Sequence, residues 1–334
     1  MPDIITGRPA LGAPGMARSP VRYGPPVPPV RSRVVVSEPV ARALRDGQPL
    51  VALESTIITH GLPRPDNVRA AREFEQAVAE RGAVPATIAV LDGVPHVGLE
   101  AHELERLAGS DRALKLSVRD LPVAMARAAS GGTTVAATAV LAAQSGIRVF
   151  ATGGIGGVHR GAGTTFDESA DLGVLGRCRI TVVSAGVKSI LDIAATLERL
   201  ETLSVPVLVF GSDRFPAFWL ADSGYTVDHA VTSAEEIAGV MHAADALDLP
   251  GGILVANPLP ASAQLDPALH DRLLAEALDA AEAGSVRGKE VTPFLLEYIH
   301  EHTGGASVAV NLDIVRGNCR LGADIARAWA ALPA

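Results

Sequence analysis

Lysine is nearly missing from this chain. Among the 29 lysine and arginine residues in 334, only Lys115, Lys188 and Lys289 are lysine. Arginine pairs with carboxylates and phosphates but keeps its proton at working pH, whereas a desolvated lysine can lose its proton and attack a carbonyl carbon. A codon bias toward arginine would leave the same imbalance, so local context has to decide for each lysine. Cysteine is also scarce. Cys178 and Cys319 are too few for a disulfide framework or a cysteine zinc site, and the chain reads as cytoplasmic. No apolar run approaches the roughly 18 residues of a membrane span, and no apolar stretch near the N-terminus has the form of a signal peptide. There is no basic stripe and the net charge is −8, which argues against a nucleic-acid partner. A small anionic substrate remains compatible, because a local pocket can differ in sign from the whole.

At 48% hydrophobic and 20% charged residues, the chain can bury a large core. Residues 1–32 are rich in Pro, Gly and Arg, as in Gly24-Pro25-Pro26-Val27-Pro28-Pro29, and read as a disordered leader. Residues 33–334 read as a single domain of alternating strands and helices. Apolar runs at 51–53, 86–91, 114–117, 149–152, 180–184, 207–210 and 252–256 predict strands. Helical periodicity predicts helices over 67–81, 100–107, 123–130, 135–144, 189–200, 266–284, 291–302 and from about 309. Asp92-Gly93 predicts a hairpin whose second strand, 94–98, is confined to an edge by Pro95, and Gly131-Gly132-Thr133-Thr134 predicts a turn. The alternation implies a layered α/β/α fold with a mostly parallel central sheet, in which ligands sit beyond the carboxyl ends of strands.

That rule selects the candidates. Lys188 follows the strand at 180–184 and precedes the expected helix, whose N-terminal dipole would disfavour an ammonium; it is a nucleophile or a point charge for phosphate. Glu54 ends an apolar strand and suits general acid–base work or a cap. Lys115 alternates with apolar neighbours, which leaves catalysis, substrate binding and a surface position open. The loop Gly153-Gly154-Ile155-Gly156-Gly157-Val158-His159-Arg160-Gly161 offers backbone N–H groups and a basic pair to an anion. It is not G-x-G-x-x-G, since His159 stands where the last glycine belongs, and no P-loop occurs. Gly131 to Thr134 is a second candidate cradle before a helix. Asp167 and Asp171, four apart, would share a helix face as Mg²⁺ or Mn²⁺ ligands or as acids at a helix N-terminus.

Long motifs run in order through the chain: Val51-Ala52-Leu53-Glu54-Ser55-Thr56, Arg119-Asp120-Leu121-Pro122, Gly131-Gly132-Thr133-Thr134-Val135-Ala136, and Phe150-Ala151-Thr152-Gly153-Gly154-Ile155-Gly156-Gly157-Val158-His159-Arg160-Gly161. They continue with Phe166-Asp167, Ser169-Ala170-Asp171-Leu172, Ala185-Gly186-Val187-Lys188-Ser189-Ile190-Leu191-Asp192, Val255-Ala256-Asn257-Pro258 and Gly288-Lys289-Glu290. From about residue 36 onward the chain resembles the pseudouridine-5′-phosphate glycosidases, also called indigoidine synthase A-like proteins. The resemblance implies reversible cleavage of a C–C glycosidic bond, giving uracil and ribose 5-phosphate through a lysine imine of the ring-opened sugar. It implies Lys188 as nucleophile, Glu54 as proton donor, Lys115, Val135, Ser169, Ala170 and Asp171 as substrate contacts, and Asp167 as the ligand of one Mn²⁺ per subunit in a homotrimer. Thr134 and His159 are added as substrate-side candidates on chemical grounds, with Thr133, Ser117 and Arg119 as phosphate contacts. Two other readings compete with the glycosidase: a Schiff-base lyase of the aldolase kind, and a sugar-phosphate binder without catalysis.

Overall fold

The computed structural model describes residues 34–286 and 291–333. The leader expected at 1–32 and the Gly288-Lys289-Glu290 motif lie outside them. The strands are β1 (Val35–Val36), β2 (Leu50–Leu53), β3 (Val84–Leu91), β4 (Val94–Val97), β5 (Leu114–Leu116), β6 (Gly131–Thr133), β7 (Val149–Ala151), β8 (Thr181–Ser184), β9 (Val207–Phe210), β10 (His229–Val231) and β11 (Ile253–Ala256). They join in one sheet of order β1-β4-β3-β2-β7-β8-β11-β9-β10, with β6 added to β3 and β5 to β6. Only the pairings of β3 with β4 and with β6 are antiparallel.

Side chains alternate across a strand, so each central strand feeds two cores. In β2, Leu50 and Ala52 join one core while Val51 and Leu53 join the other; in β7, Phe150 faces opposite to Val149 and Ala151. The helices divide between these faces. They are α1 (Glu38–Arg45), α2 (Asp66–Ala79), α3 (Ala101–Ala108), α4 (Leu121–Ala126), α5 (Val135–Gln144), α6 (Ala162–Thr165), α7 (Ala170–Leu175), α8 (Ile193–Thr202), α9 (Ala234–Ala246), α10 (Pro267–Ala283), α11 (Val291–His302) and α12 (Ala306–Ala330). Helices α2, α9 and α12 cover one face through residues such as Phe74, Met241 and Ile325. The other is covered chiefly by α5, α7 and α10, through Leu141, Leu172 and Leu273. The expected α/β/α layering with a mostly parallel sheet is what forms.

Strand order reverses at β2 and β7. From β2 the chain moves outward to β3; it returns at β7 on β2's other side and moves outward to β8. A crevice opens at such a point beyond the carboxyl ends of the two strands. Glu54 immediately follows β2 and Thr152 immediately follows β7.

Three local expectations are corrected. Residues 131–133 form a strand rather than a turn, because β3 and β5 pair with them on either side. Glycine is needed there for close approach: a Cβ on Gly132 would stand 2.7 Å from the Ser55 carbonyl oxygen. Strand β4 lies between β3 and β1, but β1 reaches only His96 and Val97, which leaves Pro95 free of that ladder. The helix expected from 189 starts at Ile193, where the Asp192 carboxylate accepts from Ala195 N at 3.0 Å and caps it. Lys188 therefore does not abut a helix N-terminus, and the dipole argument for its nucleophilicity fails.

Candidate active site

Glu54 stands where strand order reverses, immediately after β2. Its carboxylate accepts a short hydrogen bond from the Thr152 hydroxyl, so the ends of β2 and β7 are joined through their side chains. Burial pushes the Glu54 carboxyl above its ordinary range; the Lys188 ammonium opposes this most strongly, then the Thr152 hydroxyl, while Asp171 adds to the rise and Lys115 opposes it. Glu54, Thr152, Lys188, Asp171 and Lys115 thus share one electrostatic environment, with desolvation as the winning influence. A carboxyl whose proton affinity is raised by burial, in the field of a lysine, is suited to donate a proton next to an amine. Lys115 lies in β5 and is exposed. His60 is held below its usual range, first by burial and then by the Lys115 ammonium.

Two amides join at the end of β7. Asn318 of α12 is 1% exposed; its Nδ2 donates to the Thr152 carbonyl at 2.7 Å, and its Oδ1 accepts from Asn257 Nδ2 at 2.9 Å. Asn257, at the end of β11, donates its backbone N–H to the Ser184 carbonyl of β8 at 2.7 Å. The Asn318 amide therefore ties the end of β7 to the residue after β11, which itself pairs with β8. Asn257 was a motif position without a role; Thr152 and Asn318 were not singled out in the sequence.

Asp171 holds the opposite wall. It is 6% exposed, and both oxygens accept from backbone: Oδ1 from Ala136 N of α5 at 2.9 Å and Oδ2 from Gly156 N at 2.8 Å. The anion at the start of α5 is thus the protein's own carboxylate. Thr134 caps α5, accepting from Ala137 N at 3.5 Å, and Val135 is buried in its first turn. Ser169 caps α7, accepting from Asp171 N at 3.2 Å, and Ala170 is exposed. The glycine loop is not the open cradle expected from its sequence. Ile155 N donates to Gly186 O at 3.0 Å, Val158 N to Thr196 Oγ1 at 2.9 Å and His159 N to Asp167 O at 3.0 Å, so with Gly156 four of its N–H groups are bonded internally. A Cβ on Gly156 would meet Asp171 Oδ2 at 2.9 Å, so tight packing explains that glycine. Thr133 is also committed: it is fully buried and its hydroxyl donates to the Ile88 carbonyl at 2.7 Å.

Asp167 and Asp171 do not share a helix, because α7 begins at Ala170 and Asp171 is fully engaged. Asp167 lies in the preceding loop with its side chain 40% exposed and Oδ2 3.9 Å from His159 Nδ1; Glu168 pairs instead with Arg199 Nε at 2.9 Å. Among the described residues no group of three or more His, Cys, Asp or Glu side chains could enclose a metal ion. The donor set at Asp167, one exposed hard oxygen, fits a divalent ion that keeps most of its waters, as Mg²⁺ and Mn²⁺ do, and not a closed protein cage.

Two predictions rest on this geometry. Glu54 binds its proton more tightly folded than unfolded, so it favours folding at low pH and loses that contribution as pH rises through its folded value. Glu54→Gln, neutral throughout, should therefore gain stability over the parent as pH rises, read by urea denaturation across pH 4–8 (roughly the span above an ordinary glutamate's value); a pH-independent gap would contradict it. Asp171→Asn puts an amide donor against a backbone donor and should cost about 1–3 kcal/mol, the penalty for one unsatisfied buried group, in the same assay.

The chain matches the family model described as indigoidine synthase A like protein over residues 39–328. It is 57% identical over 296 residues to a pseudouridine-5′-phosphate glycosidase of Saccharopolyspora erythraea, covering 89% of this chain and 98% of the relative. It is 59% identical over 301 residues to one of Frankia alni, covering 90% and 83%. Among solved structures, the prealnumycin C-glycosynthase AlnA in complex with ribulose 5-phosphate superposes with a TM-score of 0.84 at 35% identity, over 90% of this chain and 98% of that one. An indigoidine synthase A-like protein of Thermotoga maritima superposes at 0.78 and 34% identity, over 88% and 96%. With nearly its whole length matched in sequence and in fold, the chain belongs to the indigoidine synthase A-like family.

Proposed function

We propose that this chain is a pseudouridine-5′-phosphate glycosidase, which with water reversibly cleaves pseudouridine 5′-phosphate to uracil and ribose 5-phosphate. The observation that carries the reading is a carboxyl biased to its protonated form in one crevice with a lysine, at the point where strand order reverses. The relatives' names and the ribulose 5-phosphate of the AlnA complex support the substrate class.

The residues divide the chemistry as follows. The bond to be broken joins two carbons, so protonating a leaving oxygen, the usual glycosidase route, does not release the base. Glu54 gives its proton to the sugar ring oxygen as the bond from that oxygen to C1′ opens. Lys188, having released its ammonium proton to solvent, bonds through its amine nitrogen to C1′, and the Glu54 carboxylate takes the surplus proton from that nitrogen. The nitrogen lone pair then forms the C=N bond while the C1′–C5 pair returns to the uracil ring, where C5 takes up the proton held by Glu54. Water adds to the resulting imine and releases ribose 5-phosphate, regenerating the amine. Lys115, Val135 through its backbone, Ser169, Ala170 and Asp171 form the substrate wall, with Thr134 and His159 on the same side. Asp167 would hold Mn²⁺ with waters, and the ion would supply positive charge toward an anionic substrate. The active assembly is a homotrimer in the cytoplasm; among the described residues no helix is long and apolar enough to cross a membrane.

Incubation with uracil, ribose 5-phosphate and Mn²⁺ should give pseudouridine 5′-phosphate, identified by chromatography and mass, and Lys188→Ala should abolish it. A folded, metal-loaded parent that makes no product would refute the assignment.

A further inference from the structure

Lys188 lies in a turn between Val187, which bridges to Ile155, and the start of α8. No strand ladder or helix fixes its peptide, so tertiary contacts must. The glycine-loop side supplies several. Lys188 N donates to Ile155 O at 3.1 Å and Asp192 N to Val158 O at 3.0 Å, while Arg160 donates to the carbonyls of Ile190 and Ser189 at 3.3 and 3.4 Å. From the other side a side-chain contact comes from α10: Ser189 Oγ lies 2.8 Å from His270 Nε2 on its first turn. Both residues are 3% exposed. His270 Nδ1 is 3.0 Å from the Asp271 carboxylate, and the ring packs edge-on against Trp219 at 6.2 Å between centroids. Trp219 in turn packs on Phe218, which a Cβ on Gly154 would strike at 2.6 Å.

The serine–histidine–aspartate order resembles a hydrolytic triad, but its exposure is reversed. A triad exposes the serine and buries the acid; here the serine is sealed and the Asp271 side chain is 76% exposed. Ser189 therefore has no access to a substrate carbonyl. The carboxylate at Nδ1 favours the tautomer with the proton on that nitrogen, which leaves Nε2 to accept from the Ser189 hydroxyl. A hydrogen bond fixed in direction, in a site closed to water, holds the residue adjoining Lys188.

We propose that Ser189 and His270 are positioning residues for Lys188, holding its turn so that the amine meets the C1′ carbon in line. This rests on the reading of Lys188 as the imine-forming lysine. Neither residue touches substrate; both act through the peptide between them and the amine. Misplacement of a reacting group by about 1 Å can cost on the order of 100-fold in rate, so the effect belongs in kcat.

The test compares steady-state kinetics of the parent, Ser189→Ala, His270→Ala and His270→Gln in the full-length protein, with melting temperatures alongside. Ser189→Ala and His270→Ala should lower kcat by roughly 10- to 100-fold with KM changed less than about twofold. His270→Gln, whose amide oxygen can accept near the place of Nε2, should recover most of the loss. Melting temperatures that fall while kcat per folded enzyme stays at the parent's value would show a purely structural contact and overturn the proposal, as would His270→Gln no better than His270→Ala. Should His270→Ala not fold, Ser189→Ala alone decides by the same split. A parent without turnover would overturn the glycosidase reading and this one with it, whereas a working parent matched by Ser189→Ala overturns this one alone.

Discussion

The constraint on which this crevice depends is a carboxyl group whose burial raises its proton affinity against the opposing charge of a lysine. Desolvation raises the proton affinity of Glu54 while the Lys188 ammonium lowers it, and desolvation wins. Burying a carboxylate costs more than one adjacent cation returns when that cation is itself partly in solvent. The Thr152 hydroxyl fixes the carboxyl by donating to it. The fold supplies the location: two parallel strands end side by side where the sheet order reverses, and nothing in the sheet itself fills the gap between them.

The surrounding polar groups are used to hold backbone rather than to meet solvent. Asn318 joins the ends of β7 and β11, Asp171 joins the start of α5 to the glycine loop, and Ser55 and Thr133 both donate to the Ile88 carbonyl. All four are buried polar side chains, and the loss of Asn318 or Asp171 strands a backbone partner, which is costly in a dry interior. This packing frames Glu54, Lys188 and Lys115, while the Asp167 carboxylate lies 3.9 Å from His159 Nδ1. The glycines are explained by close packing of that scaffold, with Gly132 under Ser55 and Gly156 against Asp171.

The sequence revealed the layered fold and the strand-end residues because both follow from period-2 apolar runs. The same rule could have selected Thr152, which ends β7 as Glu54 ends β2. Asn318 was invisible, since a single polar residue in an amphipathic helix carries no local sign of contacts more than 160 positions away. Asp171 looked like half of a metal pair because spacing shows a helical face but not where the helix begins. The start of α8 was misplaced for a similar reason: Ile190 and Ile193 continue the apolar pattern, yet the Asp192 cap sets the boundary. Helices α1 and α9 went unpredicted, although Ser233 before Ala234 is a recognisable cap. His270 drew no attention because its partner, Ser189, is 81 residues distant.

The most direct test is chemical capture of the lysine. The protein would be incubated with ribose 5-phosphate and cyanoborohydride, digested, and mapped by mass spectrometry. The account predicts a reduced sugar adduct on Lys188 and not on Lys115, dependent on the open-chain aldehyde. An adduct confined to Lys115, or none on a folded sample that turns over, would contradict an imine at the end of β8.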